Sequence, residues 1–159
     1  MANKHFRRLR GMTLVEVMES ILVLSIAVLG ASGYRYYSAL DVRRADMHTT
    51  AARIGMLLCE SWRGTGGNES YDPLGHLGSE LSIQEDLAPA MLRPVDFTPL
   101  GYYEVVVDDT TYYAALSWKD ITADIRALNV AVAWSQRDQG ETGIRDADKV
   151  FRLTTYTQN

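Results

Sequence analysis

Hydrophobic positions dominate the start of the chain and then change to a helical spacing. Residues 20–34 form an uncharged, mostly apolar run of 15 residues. Further along, apolar residues recur mostly at three- and four-residue steps, as Leu40, Met47, Ala51, Ile54, Leu58 and Trp62. No proline interrupts residues 12–62, so the pattern predicts one long helix over this range. Its second half is amphipathic, and we expect the apolar stripe to pack on a globular head.

A glycine-rich segment and several strand-like runs follow the helix. Residues 64–78 contain five glycines and predict a loop that ends the helix. The sequence Ser82-Ile83-Gln84-Glu85 has the form of a capping box and predicts a short helix up to about Ala88. Four later runs are rich in β-branched and aromatic residues and predict strands, at residues 102–107, 112–118, 126–134 and 150–157.

The order of these elements predicts the α+β class. Short connections between the strand runs favour an antiparallel sheet of about four strands. Within residues 126–134, larger apolar side chains alternate with smaller ones, which places the larger ones on one face. We therefore expect a long N-terminal helix packed on that face of the sheet.

Charge is distributed unevenly along the chain. The first 11 residues hold four basic side chains and no acid, which contribute +4 to a formal net charge of −4 and leave −8 for the remainder. A body this acidic disfavours nucleic-acid binding, because phosphate contacts need a basic surface. Cys59 is the single cysteine, so no intramolecular disulfide and no cysteine-based zinc site can form. We expect it to pack in the core, with an intermolecular disulfide as the alternative.

Two glutamates determine how the first 35 residues are interpreted. Glu16 and Glu19 lie between the basic residues and the apolar run. A secretory signal peptide would end at the small residues Ala31-Ser32-Gly33, but acids in this position are atypical of such peptides. A simple anchor of residues 20–34 is shorter than a secure membrane span. Residues 12–33 would cover about 33 Å as a helix and cross a bilayer, provided that both carboxylates are accommodated.

Removal of the basic segment accounts for both the length of the span and its carboxylates. Cleavage after Gly11 leaves a span that starts at residue 12 and gives Met12 a positively charged amine near Glu16. The chain reads Gly11-Met12-Thr13-Leu14-Val15-Glu16 here, after a short basic leader. This resembles the motif of type IV prepilins and of the pseudopilins of type II secretion systems, in which glutamate is the fifth residue of the mature chain. A weaker resemblance to minor pilins and minor pseudopilins comes from the spacing of residues 130–134 and from residues 153–156.

The resemblance implies a processing site and an assembly residue. A prepilin peptidase would cleave between Gly11 and Met12 and methylate the amine of Met12. Glu16 would then pair with the first amine of an adjacent subunit, although an intrachain pair with Met12 on the same helix face stays open. Glu19 departs from the apolar residue usual at its position. It either strengthens subunit pairing or lies at the level of the lipid headgroups.

The resemblance also implies a location and a set of partners. Basic residues flank the cytoplasmic side of a span, so we expect a single-pass inner-membrane subunit with its N-terminus in the cytoplasm and its head in the periplasm or otherwise outside the cytoplasm. Residues 1–11 would be the leader, 12–34 the transmembrane and assembly half of the helix, 35–63 its amphipathic half and 64–159 the head. Expected partners are the prepilin peptidase, other pilin or pseudopilin subunits and the inner-membrane assembly platform. The sequence is compatible with a subunit of either a type IV pilus or a type II secretion system.

No enzymatic chemistry is expected of this chain. The sequence has no G-x-S-x-G, P-loop, H-E-x-x-H or dinucleotide-binding motif, so no catalytic or cofactor-binding residue is assigned. Its three histidines are scattered, and Glu69, Asp72 and Glu80 lack the spacing of a calcium loop, so no metal site is assigned. The alternative from another functional class is a secreted soluble binding protein that signal peptidase releases near Gly33.

Overall fold

A long apolar N-terminal helix and an antiparallel sheet form an α+β arrangement, as the sequence predicts. The computed structural model describes residues 13–78, 82–85, 94–136 and 147–158. Over these residues the elements are α1 (Leu14–Gly64), α2 (Pro73–Leu77), β1 (Ser82–Glu85), β2 (Thr98–Val107), β3 (Thr110–Thr122), β4 (Ile125–Trp134) and β5 (Lys149–Gln158). The chain divides into two compact units, Met1–Arg43 and Arg44–Asn159.

Helix α1 is continuous over 51 residues and ends in a glycine cap. The backbone N–H of Gly67 donates to the carbonyl of Trp62 at 3.1 Å, and that of Gly66 donates to Arg63 at 2.9 Å. Gly66 adopts a φ of 72°, the left-handed conformation that a Schellman motif requires. The helix therefore extends two residues beyond the predicted end at Trp62 because this motif pairs its last carbonyls. The predicted start, Met12, lies outside the described residues.

In the second unit, one face of α1 packs on the sheet. The predicted stripe is confirmed there: Ala51, Ile54, Leu58 and Trp62 are buried in the core, and Met47 packs against it. Leu40, the first residue of the stripe, belongs to the other unit. The buried face also includes Gly55 and Cys59, which the predicted stripe lacked. A Cβ at Gly55 would lie 3.0 Å from the ring of Phe151, so glycine permits the close approach of helix and sheet here.

The sheet is an antiparallel meander in the order β1-β2-β3-β4-β5. All four predicted strands are present, and the structure extends each of them by one or more residues. Asp108 and Asp109 join β2 to β3 with φ values of 49° and 59°. Two successive positive φ angles are typical of a type I′ turn, whose twist matches that of the flanking strands. The two residues therefore join β2 and β3 as a hairpin, in keeping with the short connections expected between the strands.

Two local predictions are wrong. The Ser82-Ile83-Gln84-Glu85 segment is not a helix start but strand β1, which pairs with β2 from Ser82↔Val106 to Glu85↔Tyr103. Pairing satisfies backbone groups along β2 that a separate helix would leave open, so a tertiary contact overrides the local signal. The predicted continuation to Ala88 lies outside the described residues.

The glycine-rich segment at residues 64–78 also contains a helix that was not predicted. Asp72 is the N-cap of α2 and accepts a hydrogen bond from the backbone N–H of Leu74 at 3.0 Å. Pro73 occupies the first helical position, where its missing N–H costs nothing. The two residues form a helix-start signal that the glycine content of the segment concealed.

Both faces of β4 are buried, and they differ in side-chain size. Leu128, Val130, Val132 and Trp134 face the core that α1 covers, as predicted. On the opposite face, Tyr113, Ala115, Ala131 and Ala133 form a second, smaller cluster. Large side chains therefore pack against the helix, while the opposite face holds mostly small ones, with Tyr102 and Ala147 packed against them.

Candidate functional site

The N-terminal end of α1 carries a reciprocal set of hydrogen bonds between Thr13 and Glu16. The backbone N–H of Thr13 donates to Glu16 Oε2 at 2.9 Å, and the Thr13 hydroxyl donates to the same oxygen at 3.1 Å. In return, the backbone N–H of Glu16 donates to Thr13 Oγ1 at 3.4 Å. This is a capping box, which satisfies backbone donors that a helix start leaves unpaired. It fixes the beginning of α1 at Leu14.

The capping box gives Glu16 a partner in its own chain that the sequence prediction missed. The signal is present as Thr13-Leu14-Val15-Glu16, but the prediction paired the carboxylate with the first amine of an adjacent subunit, or with Met12 of its own chain, and not with Thr13. Both hydrogen bonds from Thr13 end on Oε2, so Oε1 accepts none from the described residues. Gly11 and Met12, the predicted cleavage and methylation residues, lie outside the described part of the chain.

Glu19 lies one turn beyond Glu16 on the same face of α1. The two glutamates share this face with Ser20, Val23 and Ala27. The Ser20 hydroxyl donates to the backbone carbonyl of Glu16 at 2.7 Å, so the helix itself satisfies that polar group. The structure thus places Glu16 and Glu19, the two predicted assembly residues, on one face of α1. The Glu16 carboxylate has a hydrogen-bond partner there, Thr13.

Large apolar side chains surround the first half of α1 and are exposed. Their exposed fractions within residues 14–29 range from 41% to 80%, for Leu14, Val15, Val17, Met18, Ile21, Leu22, Val23, Leu24, Ile26, Val28 and Leu29. The hydroxyl of Ser25 donates to the carbonyl of Ile21 at 2.8 Å and is therefore internally satisfied. Among the described ranges, α1 is the one helix that is long and apolar enough to cross a membrane, judged by length and composition.

Three exposed tyrosines follow this apolar segment. Tyr34, Tyr36 and Tyr37 are 64–76% exposed, and the rings of Tyr36 and Tyr37 meet edge to face at 5.7 Å. Tyrosine is enriched at membrane–water interfaces, because its ring is apolar and its hydroxyl is polar. The group is therefore placed where the predicted span of residues 12–34 ends.

In the second unit, the acidic residues considered for metal binding have other partners. Glu69 Oε1 accepts a hydrogen bond from Arg126 at 2.9 Å, and Asp72 caps α2. Glu80, the third of these residues, lies outside the described ranges. Where the structure describes the chain, no group of three or more His, Cys, Asp or Glu side chains is arranged to hold a metal ion.

Arg126 is a buried cation that joins the loop after α1 to the sheet. Its side chain is 6% exposed and donates to both carboxylate oxygens of Asp120, at 2.7 and 3.2 Å. It also donates to the carbonyl of Gly67 at 3.2 Å, and its guanidinium carbon lies 4.0 Å from the ring centroid of Trp118. Hydrogen bonding to Arg126 holds the pKa of Asp120 below its ordinary value. The cluster is internally satisfied and has a structural role.

Cys59 and His48 lie against the core of the second unit. Cys59 is 2% exposed, and burial raises the pKa of its thiol. The neutral thiol packs as a small hydrophobe, as predicted. His48 is exposed on α1, with its ring centroid 5.7 Å from that of Trp134 and 6.1 Å from that of Phe151. The rings pack edge to face, so His48 extends the aromatic edge of the core.

The best candidate for a functional site is therefore the N-terminal segment of α1. It combines a capped helix start, a carboxylate with one oxygen that accepts no described hydrogen bond, and a long run of exposed apolar side chains. No protein-family model, curated protein or solved structure matches this chain.

Proposed function

We propose that the chain is a structural subunit, a minor pilin or minor pseudopilin, of a type IV pilus or a type II secretion filament. A prepilin peptidase cleaves it after Gly11 and methylates Met12, and the subunit then passes from the inner membrane into the filament through α1. The observation that carries the proposal is the exposed apolar segment of residues 14–29, which begins at the Thr13–Glu16 capping box. The motif around Gly11 supports the same assignment.

The exposed apolar segment needs lipid or neighbouring helices around it. Burying one fully exposed large aliphatic side chain contributes about 1.5–3 kcal/mol, so the partly exposed side chains of residues 14–29 together favour burial by about 10 kcal/mol or more. That is comparable with the net stability of a single domain, and surfaces of this kind mark interaction sites. Lipid covers the segment while the subunit is in the membrane, and neighbouring α1 helices cover it in the filament. The same apolar surface is therefore buried in both states.

Glu16 can cap its own helix and bind a neighbouring subunit at the same time. Cleavage between Gly11 and Met12 leaves the peptide N–H of Thr13 intact, so the capping box survives processing. Oε2 keeps its hydrogen bonds from Thr13, and Oε1 accepts a hydrogen bond from the charged amine of Met12 in the adjacent subunit. An unpaired carboxylate in hydrocarbon costs about 2.5–3.5 kcal/mol at mid-membrane, so pairing favours the assembled position and fixes its axial register.

The charge pattern supports the orientation and the order of events. Four basic residues in the first 11 positions keep the leader on the cytoplasmic side, and the acidic remainder forms the extracytoplasmic head. The same basic cluster opposes extraction of the helix from the bilayer. Removal of the leader therefore comes before assembly, on a platform in the inner membrane and alongside other pilin or pseudopilin subunits.

Incorporation into filaments tests this proposal. The chain is produced in its cell of origin, filaments are sheared off, and its amount in the filament and membrane fractions is measured by mass spectrometry. We expect the wild-type chain in the filaments and Gly11→Asp uncleaved in the membrane. Gly64→Asp is the matched control, because a side chain at Gly64 meets no atom within 4 Å and needs no left-handed backbone. Normal cleavage of Gly11→Asp, or a free extracellular chain that starts near Tyr34, would overturn the proposal.

A further inference from the structure

Strand β5 forms a long edge of the sheet. It pairs with β4 over ten successive residue pairs, from Ile125↔Gln158 to Trp134↔Lys149, with no shift of register. No strand in the described ranges pairs with its other side, because β5 is the last strand in the sheet order. Every second residue therefore directs its backbone N–H and C=O groups away from β4.

The two edges of the sheet differ in how they are protected against pairing with another chain. Proteins protect edges with short strands, prolines, bulges or inward-pointing charges. β1, at the opposite edge, is only four residues long. β5 has ten residues, no proline and no bulge, and its charged residues are Lys149 at its first position and Arg152. An edge of this length and regularity is a template for an additional strand.

The side chains of β5 indicate which kind of strand would fit. Phe151 and Leu153 are half-buried and pack against the core beside α1. On the opposite face, Arg152 is exposed, and so are Val150 (41%) and Tyr156 (61%). A strand that continues this pattern places apolar side chains next to Phe151 and Leu153 and an acidic side chain next to Arg152.

We propose that the free edge of β5 binds an extended segment of a partner polypeptide, in which apolar and acidic residues alternate, as a sixth antiparallel or parallel strand. Backbone hydrogen bonds supply the affinity and alternate side chains the specificity, as in other cases of strand addition. A second copy of this chain is a poorer occupant, because it would bring another strand with two cations and no acid against the edge. The inference concerns the second unit and is independent of the proposed assembly through α1.

Hydrogen exchange on the full chain in detergent micelles tests the proposal. The probe is a synthetic ten-residue peptide of alternating valine and glutamate, and a peptide of the same length with proline replacing every second valine is its control. We expect saturable binding of the first peptide, measured by fluorescence anisotropy, and none of the second. Bound peptide should slow the exchange of alternate amides in β5 at least tenfold, with amides of β3 unchanged.

Charge reversal at the edge separates specific pairing from general attraction. Arg152→Glu should weaken binding about tenfold at low salt, because it replaces an opposite-charge cross-strand pair with a like-charge pair. Arg53→Glu is the matched control, since Arg53 is an exposed cation on α1 in the same unit, and it should stay within twofold of wild type. The proposal fails if the two variants lose affinity equally, or if the peptide binds without protecting β5. It also fails if β5 becomes protected with rising protein concentration alone, which would assign the edge to a second copy.

Discussion

Replacing Glu16 with glutamine separates the two roles assigned to its carboxylate. Oε2 accepts hydrogen bonds from the Thr13 backbone and hydroxyl at 2.9 and 3.1 Å. A glutamine oxygen accepts the same bonds, because glutamate and glutamine both serve at this position of a capping box. A valine cannot, so Glu16→Val loses the cap as well as the charge, and loss of a helix cap costs about 1 kcal/mol. Both variants lose the charge that pairs with a neighbouring amine.

The magnitude of the assembly defect follows from the pairing. Truncating one partner of a desolvated charge pair between subunits costs about 2–5 kcal/mol. At 1.4 kcal/mol per factor of ten, the lower limit corresponds to about a thirtyfold weaker association at each subunit contact. We therefore expect Glu16→Gln and Glu16→Val to insert into the membrane at wild-type levels and to be depleted in filaments by at least about thirtyfold.

The assay compares variants that are produced together with the other subunits. Quantitative mass spectrometry of sheared filaments, normalised to the membrane fraction, gives the incorporation of each variant. Glu19→Gln is the matched control, since it removes a carboxylate from the same helix face one turn away, and we expect incorporation within twofold of wild type. Wild-type incorporation of Glu16→Gln together with failure of Glu16→Val would refute the pairing and reduce Glu16 to a helix cap.

Three further predictions concern the stability of the second unit, measured by urea denaturation of the full chain in micelles with tryptophan fluorescence as the readout. Gly67→Ala and Gly66→Ala both place a side chain at a φ of 72°, but only at Gly67 would the new Cβ clash, because it would lie 2.6 Å from the methyl group of Thr157. Gly67→Ala should therefore lower the free energy of unfolding by at least about 1 kcal/mol more than Gly66→Ala does. Leu58→Ala should lower the free energy of unfolding by about 2–5 kcal/mol, whereas Leu57→Ala, at a 40% exposed position, should cost less than about 1 kcal/mol. Pairing with Arg126 holds the pKa of the Asp120 carboxyl below its ordinary value, so the stability that the pair contributes is present above that ordinary value and is lost as the pH falls through the lowered one. Asp120→Asn should therefore flatten the decline of stability in acid, and an unchanged pH profile would count against the pairing.

Periodic patterns predicted the elements that bury a continuous face. The stripe from Met47 to Trp62 and the alternation in β4 both appear in the core, because each fixes which side of its element is apolar. The burial of Cys59 was predicted apart from the stripe, whereas the burial of Gly55 was not predicted. A glycine has no side chain to mark a buried position, and the close approach of Phe151 is known only once the helix and the sheet are brought together.

Short local signals were less informative, and the two capping boxes illustrate why. The Ser82–Glu85 segment matches the motif but forms a strand, since pairing with β2 satisfies its backbone. The Thr13–Glu16 segment matches the same motif and does cap a helix. The four residues alone do not distinguish these outcomes, because the deciding factor is whether a free strand edge or a long helical run lies beside them.

Long-range polar contacts were beyond prediction from the sequence. Arg126 joins Glu69, 57 residues earlier in the chain, and Asp120 across the turn between β3 and β4. Nothing in the spacing of these residues indicates the contact, which depends on the path of the loop after α1. For the candidate site the reverse holds: its apolar run and its two glutamates are contiguous in sequence, so they could be identified before the structure, and the structure added the Thr13 cap.

The most direct test of the account is the chemical identity of the mature N-terminus. The chain is extracted from membranes of its cell of origin, digested, and its N-terminal peptide is sequenced by mass spectrometry. Cleavage after Gly11 with one methyl group on the amine of Met12 is the predicted result. A chain that begins near Tyr34, or one that keeps its basic leader in the filament, would contradict it.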